Sequence, residues 1–206
     1  MAPAAYGRQV FLNCPFDSEY RAIREAVTFT VFDCGFRPRS ALEVDDGSQV
    51  RMDKIFGIVR DCRLGIHDIS RIEVDRDSGL PRFNMPLELG VFLGAKRFGD
   101  ARQGKKTCLI LDRERHRYQA YISDIAGQDI RAHQGLPQEA IVIVRDWLRG
   151  IRPNVTIPGG KAIAGRFESF CRDLPDMLVH LGLAQDDLTY VDTTWCMSEW
   201  LKINPW

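Results

Sequence analysis

The sequence lacks the features that assign many proteins to a functional class at once. Lys plus Arg and Asp plus Glu both total 28 among 206 residues, so the formal net charge is zero and no overall field draws the chain onto nucleic acid or acidic lipid. No run approaches the roughly 18 apolar residues that cross a bilayer, and the opening residues do not form a signal peptide. We therefore expect a cytoplasmic protein with no membrane partner, and the composition disfavours a nucleic-acid partner.

Patterns for metal binding and disulfide formation are also missing. The six cysteines are widely spaced with no C-x-x-C pair, and the four histidines form no H-E-x-x-H pattern. We interpret the cysteines as buried free thiols and predict no metal site. One basic run, residues 113–117, is interrupted by Glu114 and is interpreted as solvated surface.

Short apolar runs alternate with segments of helical period, which is typical of a parallel sheet wrapped by helices. Strands are predicted at 8–13, 36–42, 63–69, 105–112 and 128–133. Helices are predicted at 17–35, near 51–62, and at 84–96, 119–127 and 137–149. Pro38 removes a ladder donor from the second strand, so this strand is expected at an edge. The prediction is an α/β domain over residues 1–150, with a five-stranded doubly wound parallel sheet.

The remaining residues, 151–206, are predicted to form a linker followed by a helical C-terminal extension packed on this domain. Residues 151–160 contain two prolines and two glycines and have no amphipathic period, which indicates a connector. An apolar stripe from Phe167 to Leu181 and the side chains of Trp195, Trp200 and Trp206 follow. The favoured interpretation is that these aromatics dock the extension on the domain. An oligomer interface is the alternative, and we expect a homo-oligomer.

Function is expected at the carboxyl ends of the strands, because ligands of open parallel sheets bind there. Polar and aromatic residues follow the predicted strands at several of these ends. The arginines among them have the bidentate geometry that recognises phosphate. The candidate substrate-binding residues are Asn13, Pro15, Phe16, Asp17, Ser70, Arg71, Arg82, Asn84 and Met85.

Glu88 is the most informative position, because it is the only ionisable residue of the apolar segment 83–95. Pro86 belongs in a first helical turn, so Glu88 is expected about one turn from the helix start, where the helix dipole favours an ionised carboxylate. A permanently charged carboxylate suits a nucleophile or a cation stabiliser. A capping-box glutamate turned back onto the backbone is the alternative. Gly90 and Gly94 are expected to let this helix approach its neighbours closely.

Three segments occur in an order that resembles a known superfamily. They are a first strand that ends in a small-Pro-Phe loop at 13–17, a helix led by Arg51 that runs into the strand at 62–70, and Glu88-Leu89-Gly90 near the start of the next helix. Over residues 9–112, the chain resembles the superfamily that joins nucleoside 2-deoxyribosyltransferases, deoxynucleoside monophosphate glycosidases and TIR-type NAD hydrolases. The resemblance implies a flavodoxin-like or TIR-like domain.

The resemblance also implies catalytic roles for Glu88 and Asp68. In that superfamily, the glutamate of an E-x-G segment is catalytic, and an aspartate after the preceding strand helps to position the ribose. Cleavage of an N-glycosidic bond builds positive charge on C1′ and the ring oxygen, which a carboxylate stabilises or attacks. Considered alone, Asp68 is better interpreted as a strand-end residue hydrogen-bonded to nearby backbone.

The implied activity is hydrolysis or transfer of the N-glycosyl group of a nucleotide. Either NAD or a deoxynucleotide would be the substrate, and no separate cofactor is expected. The segment 82–86 before Glu88 matches neither the transferase nor the TIR pattern, so both substrates stay open. Bacterial defence is the setting that the resemblance suggests. The alternative is a catalytically inactive nucleotide-sensing or TIR-like assembly module.

Overall fold

The chain forms a five-stranded, all-parallel sheet in the order β2-β1-β3-β4-β5, which confirms the predicted α/β, flavodoxin-like fold. The computed structural model describes residues 6–72, 74 and 79–206. The strands are β1 Gln9–Asn13, β2 Arg37–Arg39, β3 Leu64–Asp68, β4 Thr107–Asp112 and β5 Ile130–Ala132. The helices are α1 Arg21–Asp33, α2 Arg51–Asp61, α3 Asn84–Phe98, α4 Pro137–Ile151, α5 Gly160–Leu181 and α6 Tyr190–Ile203.

The strand order reverses between β1 and β3, and this places a topological switch point at the centre of the sheet. Val10 pairs with Leu64 and Asn13 with His67, so the carboxyl ends of these two strands lie side by side. Strand β2 is an edge strand, as Pro38 predicted. A ligand crevice is therefore expected above Asn13 and His67.

Successive residues of β3 point to opposite faces of the sheet and so contact two different cores. Leu64 and Ile66 pack in the core that contains α1, α4 and α5, whereas Gly65 and His67 face Phe92 of α3. A Cβ atom on Gly65 would lie 2.6 Å from His67 Nε2 and 2.9 Å from the Phe92 ring, so only glycine fits here.

Two local predictions were wrong. A Cβ atom at Gly90 or Gly94 would meet nothing within 4 Å, so these glycines do not serve close helix packing. The helix predicted at 119–127 is instead two short 3-10 turns, Arg117–Ala120 and Ser123–Ile125. Tyr118 and Ile125 are buried here, with Tyr121 and Ile122 partly buried against the same core, so helical spacing of apolar residues did not by itself produce a longer helix.

The C-terminal helices pack on α1 and α4. Phe170 of α5 and Trp200 of α6 both contact Phe29 of α1, with ring centroids 5.6 and 5.9 Å away. The Trp206 indole donates to Asp33 Oδ1 at 3.0 Å, but its ring, like that of Trp195, stays about half exposed. Among the residues described, no helix has both the length and the apolar character needed to cross a membrane.

All six cysteines are free. Four of them are buried, as predicted, whereas Cys171 is exposed and Cys108 is intermediate. Cys171 lies on α5 between the inward-facing Phe170 and Leu174, on the side of the helix that faces away from the core.

Candidate active site at the carboxyl edge of the sheet

Asn13 joins the first turn of α3 to the centre of the sheet. Its Nδ2 atom donates to Met85 O at 2.8 Å and lies 3.0 Å from His67 Nδ1. Burial, together with nearby Lys106, lowers the pKa of His67 to about 3, so the ring is neutral and its Nδ1 accepts from the Asn13 amide. Asn13 is buried and both of its amide hydrogens are used. It therefore positions α3 through its amide group.

Glu88 is buried without a partner. The helix begins at Asn84, so Glu88 is its fifth residue, and its exposed fraction is 7%. No donor within the described part of the chain forms a hydrogen bond or ion pair with its carboxylate. The capping-box alternative is wrong, because Phe83 precedes the helix with no side-chain cap and Glu88 is not at the third position.

The charge state of Glu88 differs from the sequence-based expectation. Burial raises its pKa to about 7, and the charge of Arg51 opposes this only in part. The expectation of a permanently ionised group does not hold, because loss of hydration on burial outweighs the effect of the helix start one turn away. At neutral pH the carboxyl group therefore exchanges readily between its two forms.

Arg51 interacts both with the Phe16 ring and with Glu88. Arg51 is the first residue of α2, and its guanidinium carbon lies 5.8 Å from the centroid of the Phe16 ring. Phe16 is partly exposed in the loop after β1, at the place where the sequence predicted a substrate contact. An exposed aromatic ring with a cation above it, next to a buried acid, suits a planar base or ribosyl group.

Cys14 at the end of β1 lies near both predicted catalytic acids. Burial is the main cause that raises the pKa of its thiol, and the charges of Asp68 and Glu88 raise it further. Cys14 is therefore a neutral thiol at physiological pH and not a nucleophile. Because one side chain interacts with both carboxylates, Asp68 and Glu88 belong to the same region of the edge.

Asp68 is completely buried and its oxygens are used within the protein. Tyr20 Oη donates to Oδ2 at 2.5 Å, the Ser70 amide donates to Oδ1 at 2.8 Å, and His133 Nε2 lies 3.0 Å from Oδ2. Burial alone would raise the pKa of Asp68, but His133, Ser70 and Tyr20 together hold it below its usual value. Its complete burial and these contacts within the protein favour the structural interpretation of Asp68.

A tight turn fixes His133 on Asp68. Gln134 and Gly135 both have positive φ, 55° and 75°, and the Leu136 amide donates to His133 O at 2.9 Å. The Gly135 amide donates to His133 Nδ1 at 3.0 Å, so the ring proton is on Nε2, which faces Asp68. Gln134 in this conformation is unusual for a residue with a side chain and marks a locally constrained loop.

The other predicted substrate contacts divide into two groups. Asp17 and Arg71 lie together at the edge, where Arg71 contacts Asp17 Oδ2 at 3.5 Å and donates to Glu19 Oε2 at 2.5 Å. Asp17 Oδ1 also accepts from the Tyr20 amide at 3.0 Å in the turn before α1, but the N-cap of α1 is Tyr20 and has no side-chain cap, so the predicted helix start at residue 17 was wrong. Three others lie on or before α3: Arg82 and Asn84 are exposed, and the Met85 side chain is buried in the core.

Pro15 is buried in the loop after β1, where its carbonyl accepts from Arg24 Nη1 at 3.3 Å. Ser70, the last of the predicted contacts, follows β3 and lines a cleft of about 220 Å³. The cleft is also lined by Glu19, Tyr20, Ile23, Arg71, Arg113, His133 and Gly135. Glu88 is not one of its lining residues.

Sequence reasoning missed the contributions of Tyr20, His133 and Arg113. Tyr20 was assigned to the apolar face of the first helix, and Arg113 to a solvated run. Each lies at a strand end or helix start that the topology brings to the same edge, and this position was the only available signal. Within the residues described, no group of three or more potential ligands could hold a metal ion.

A scan against protein-family models, a search of curated proteins and a search of solved structures each found no match for this chain.

Proposed function

We propose that the protein cleaves the N-glycosidic bond of a nucleotide, NAD or a deoxynucleotide, with Glu88 as the catalytic carboxylate. The observation that carries the proposal is a buried carboxyl group that has no hydrogen-bond or ion-pair partner within residues 6–72, 74 and 79–206, next to the switch point of a parallel sheet. The segments that resemble the N-glycosidase superfamily support the same catalytic role for Glu88.

Glu88 would act by interacting more strongly with the transition state than with the substrate. Positive charge develops on C1′ and the ring oxygen as the bond to the base breaks, and a carboxylate in a desolvated site stabilises that charge strongly. A pKa of about 7 means that the ionised form is held poorly before reaction and well once the cation forms. This difference is what accelerates the chemical step.

The step balances in either of two forms. The electron pair of the C1′–N bond leaves with the base, and Glu88 either attacks C1′ to form an ester or stabilises the cation until an acceptor adds. Water as acceptor gives hydrolysis, and a second base gives transfer. Nicotinamide leaves NAD without protonation, whereas a purine or pyrimidine needs a proton.

One observation favours a second candidate, a nucleotide-sensing or assembly module without catalysis. The cleft beside Asp68 is formed without Glu88, and Asp68 is occupied by its own neighbours. A nucleotide that bound only there would meet no catalytic carboxylate. Such a module would bind nucleotide and release neither nicotinamide nor free base.

The two candidates are separated by incubating the purified chain with NAD and a panel of deoxynucleotides and analysing the products by chromatography. We expect the parent to release nicotinamide or free base and Glu88→Gln to lose at least about 100-fold in rate. Glu139→Gln is the matched control, because Glu139 is exposed on α4. The rate should rise with pH through about 7, as Glu88 ionises. Equal rates for parent and Glu88→Gln would refute the proposal.

A further inference from the structure

Helix α3 is apolar on the side that faces solvent as well as on the side that faces the core. Leu89 and Phe92 are buried against the sheet. On the opposite side, the exposed fractions are 57% for Phe83, 55% for Leu87 and 86% for Phe98. A surface helix normally carries polar residues towards solvent, and a helix that is apolar all round is normally covered on all sides. The solvent side of α3 therefore indicates a contact that one chain does not make.

The exposed apolar residues share one face of the helix, because they recur at intervals of three or four residues. We call this surface the outer face of α3; it consists of Phe83, Leu87, Gly90, Gly94 and Phe98. Between residues 83 and 95 the only ionisable side chain is that of Glu88, which is buried. Helix α4, by contrast, exposes Gln138, Glu139 and Asp146. The outer face of α3 thus lacks the charges that keep a helix surface in water.

Two glycines form a hollow in the middle of the outer face. A Cβ atom at Gly90 or Gly94 would meet nothing within 4 Å, so packing within one chain does not require either glycine. Both weaken the helix, because glycine loses more conformational freedom than alanine when a helix forms. An exposed helical glycine does allow a second helix to approach closely. The hollow, with bulky apolar side chains at both ends, has the shape that a partner helix fits.

A second copy of the same helix supplies the side chain that fills this hollow. Leu87 and Gly94 lie equally far from the midpoint between Gly90 and Val91, and so do Phe83 and Phe98. A twofold axis at this midpoint therefore places Leu87 opposite the partner's Gly94 and Phe83 opposite the partner's Phe98 in an antiparallel pair. Each bulky leucine then meets a hollow, and the two aromatic pairs close the ends.

The charges at the end of the helix favour the antiparallel arrangement. Lys96 and Arg97 are both exposed in the last turn of α3. Antiparallel packing puts these cations at opposite ends of the interface and sets the two helix dipoles against each other, which is attractive. Parallel packing would bring the four cations together.

A lipid surface fits the outer face less well than a second helix does. Helices that lie on membranes bury a continuous row of bulky side chains in the acyl region. The hollow at Gly90 and Gly94 interrupts that row at its centre. A rigid neighbour with a side chain at the right position uses the hollow, whereas a fluid one gains little from it.

We propose that the outer face of α3 is the interface of a homodimer, in which two copies of the chain pack antiparallel about a twofold axis. One face of a 15-residue helix offers less than the roughly 800 Å² per partner of a standard interface. We therefore expect a reversible dimer with a dissociation constant in the micromolar range. The interface goes beyond the proposed glycosidase and does not depend on it.

The first test is sedimentation velocity of the full chain from about 1 to about 200 µM, with and without vesicles that contain an anionic phospholipid. We expect the mass to rise from that of one chain to that of two as the concentration increases. A monomer at every concentration would overturn the proposal. Binding of that monomer to the vesicles would then identify lipid as what covers the outer face.

Filling the hollow distinguishes a specific interface from a merely adhesive surface. Gly94→Leu should weaken the dimer at least about tenfold, because the added side chain occupies the place of the partner's Leu87. Its melting temperature in dilute solution should not fall, since leucine favours the helix. Gly165→Leu is the matched control on α5, where the glycine is also exposed and without neighbours, and it should change the dimer less than about twofold. Equal or tighter association of Gly94→Leu would refute the proposal.

Removing an aromatic side chain tests the ends of the interface. Phe98→Gln should weaken the dimer at least about tenfold. Val179→Gln takes an exposed apolar side chain from α5 instead and should change the dimer less than about twofold. Equal effects of these two variants would contradict the assignment to α3. Glu88→Gln should dimerise like the parent, because Glu88 is buried away from the outer face, so failure of the glycosidase proposal and failure of the dimer are distinguishable.

Cross-linking tests the antiparallel register. Leu87→Cys and Gly94→Cys chains, each with Cys171→Ser to remove the exposed native thiol, are mixed and oxidised with diamide. The mixture should form a disulfide-linked dimer. Each variant alone should not, because the two copies of either position lie about 10 Å apart along the helix axis, beyond the roughly 7 Å that a disulfide spans. Cross-linking of the single variants without cross-linking of the mixture would overturn the antiparallel interface.

Discussion

Replacing Glu88 with glutamine should change the pH dependence of stability in a direction that the structure fixes. The substitution keeps the size of the side chain and removes its ionisation. Burial raises the pKa of Glu88 from 4.5 to about 7. Between these two pH values the unfolded chain releases a proton that the folded protein retains, so the parent loses stability as the pH rises.

The magnitude follows from this difference in pKa. Each pKa unit corresponds to about 1.36 kcal/mol, so ionising Glu88 inside the fold reduces the free energy of unfolding by roughly 3 kcal/mol. The contribution of the neutral carboxyl group to the free energy of unfolding is fully present below pH 4.5, and it is lost as the pH rises through about 7. For a protein of this size, this loss lowers the melting temperature by about 6–12 °C.

The assay is thermal unfolding of the parent, Glu88→Gln and the exposed control Glu139→Gln at pH 5 and pH 8. The melting temperature of Glu88→Gln relative to that of the parent should be about 6–12 °C higher at pH 8 than at pH 5. The melting temperature of the control should change with pH as that of the parent does. The same difference between Glu88→Gln and the parent at both pH values would show that Glu88 is not a desolvated acid. The mechanistic argument would then lose its physical basis.

Two further predictions concern the packing around the site, and both are checked by urea denaturation at pH 7. Tyr20→Phe removes a donor from buried Asp68 and should lower the free energy of unfolding by about 1–3 kcal/mol. That loss should shrink in acid, as the pH falls through the lowered pKa of Asp68. Gly65→Ala places a methyl group against His67 and should lower the free energy of unfolding by about 1–3 kcal/mol. Gly90→Ala should raise the free energy of unfolding by up to about 1 kcal/mol, because the added methyl group meets nothing and alanine favours the helix. Equal effects of the two alanines would contradict the packing described.

The order of elements was predictable, because each is encoded by its own segment. Apolar runs such as residues 105–112 predicted buried strands, and Pro38 predicted the edge strand because a proline has no amide to donate. The segment 119–127 was misjudged, because Tyr121, Ile122 and Ile125 have helical spacing and pack against one core, yet the chain forms only two short 3-10 turns. A segment this short gains too few backbone hydrogen bonds for its periodicity alone to sustain a helix.

The candidate site was predictable in position but not in its contacts. The topology rule correctly placed Asp68 at the carboxyl edge, but its partners Tyr20 and His133 come from distant segments that only the fold brings together. The isolation of Glu88 in an apolar helix was visible in the sequence. Its charge state was not, because the balance between helix dipole and desolvation depends on how deeply the side chain is buried.

The two carboxyl groups at this edge have opposite environments, and the contrast separates their roles. Asp68 is buried with two hydrogen-bond donors and His133 around it, and its pKa is lowered. Glu88 is buried with no partner among the residues described, and its pKa is raised. A fold that can satisfy one buried acid so fully has no structural need to leave another unsatisfied. Under the proposed function, a developing ribosyl cation would supply positive charge next to the ionised form of Glu88, beyond the partial compensation that Arg51 gives.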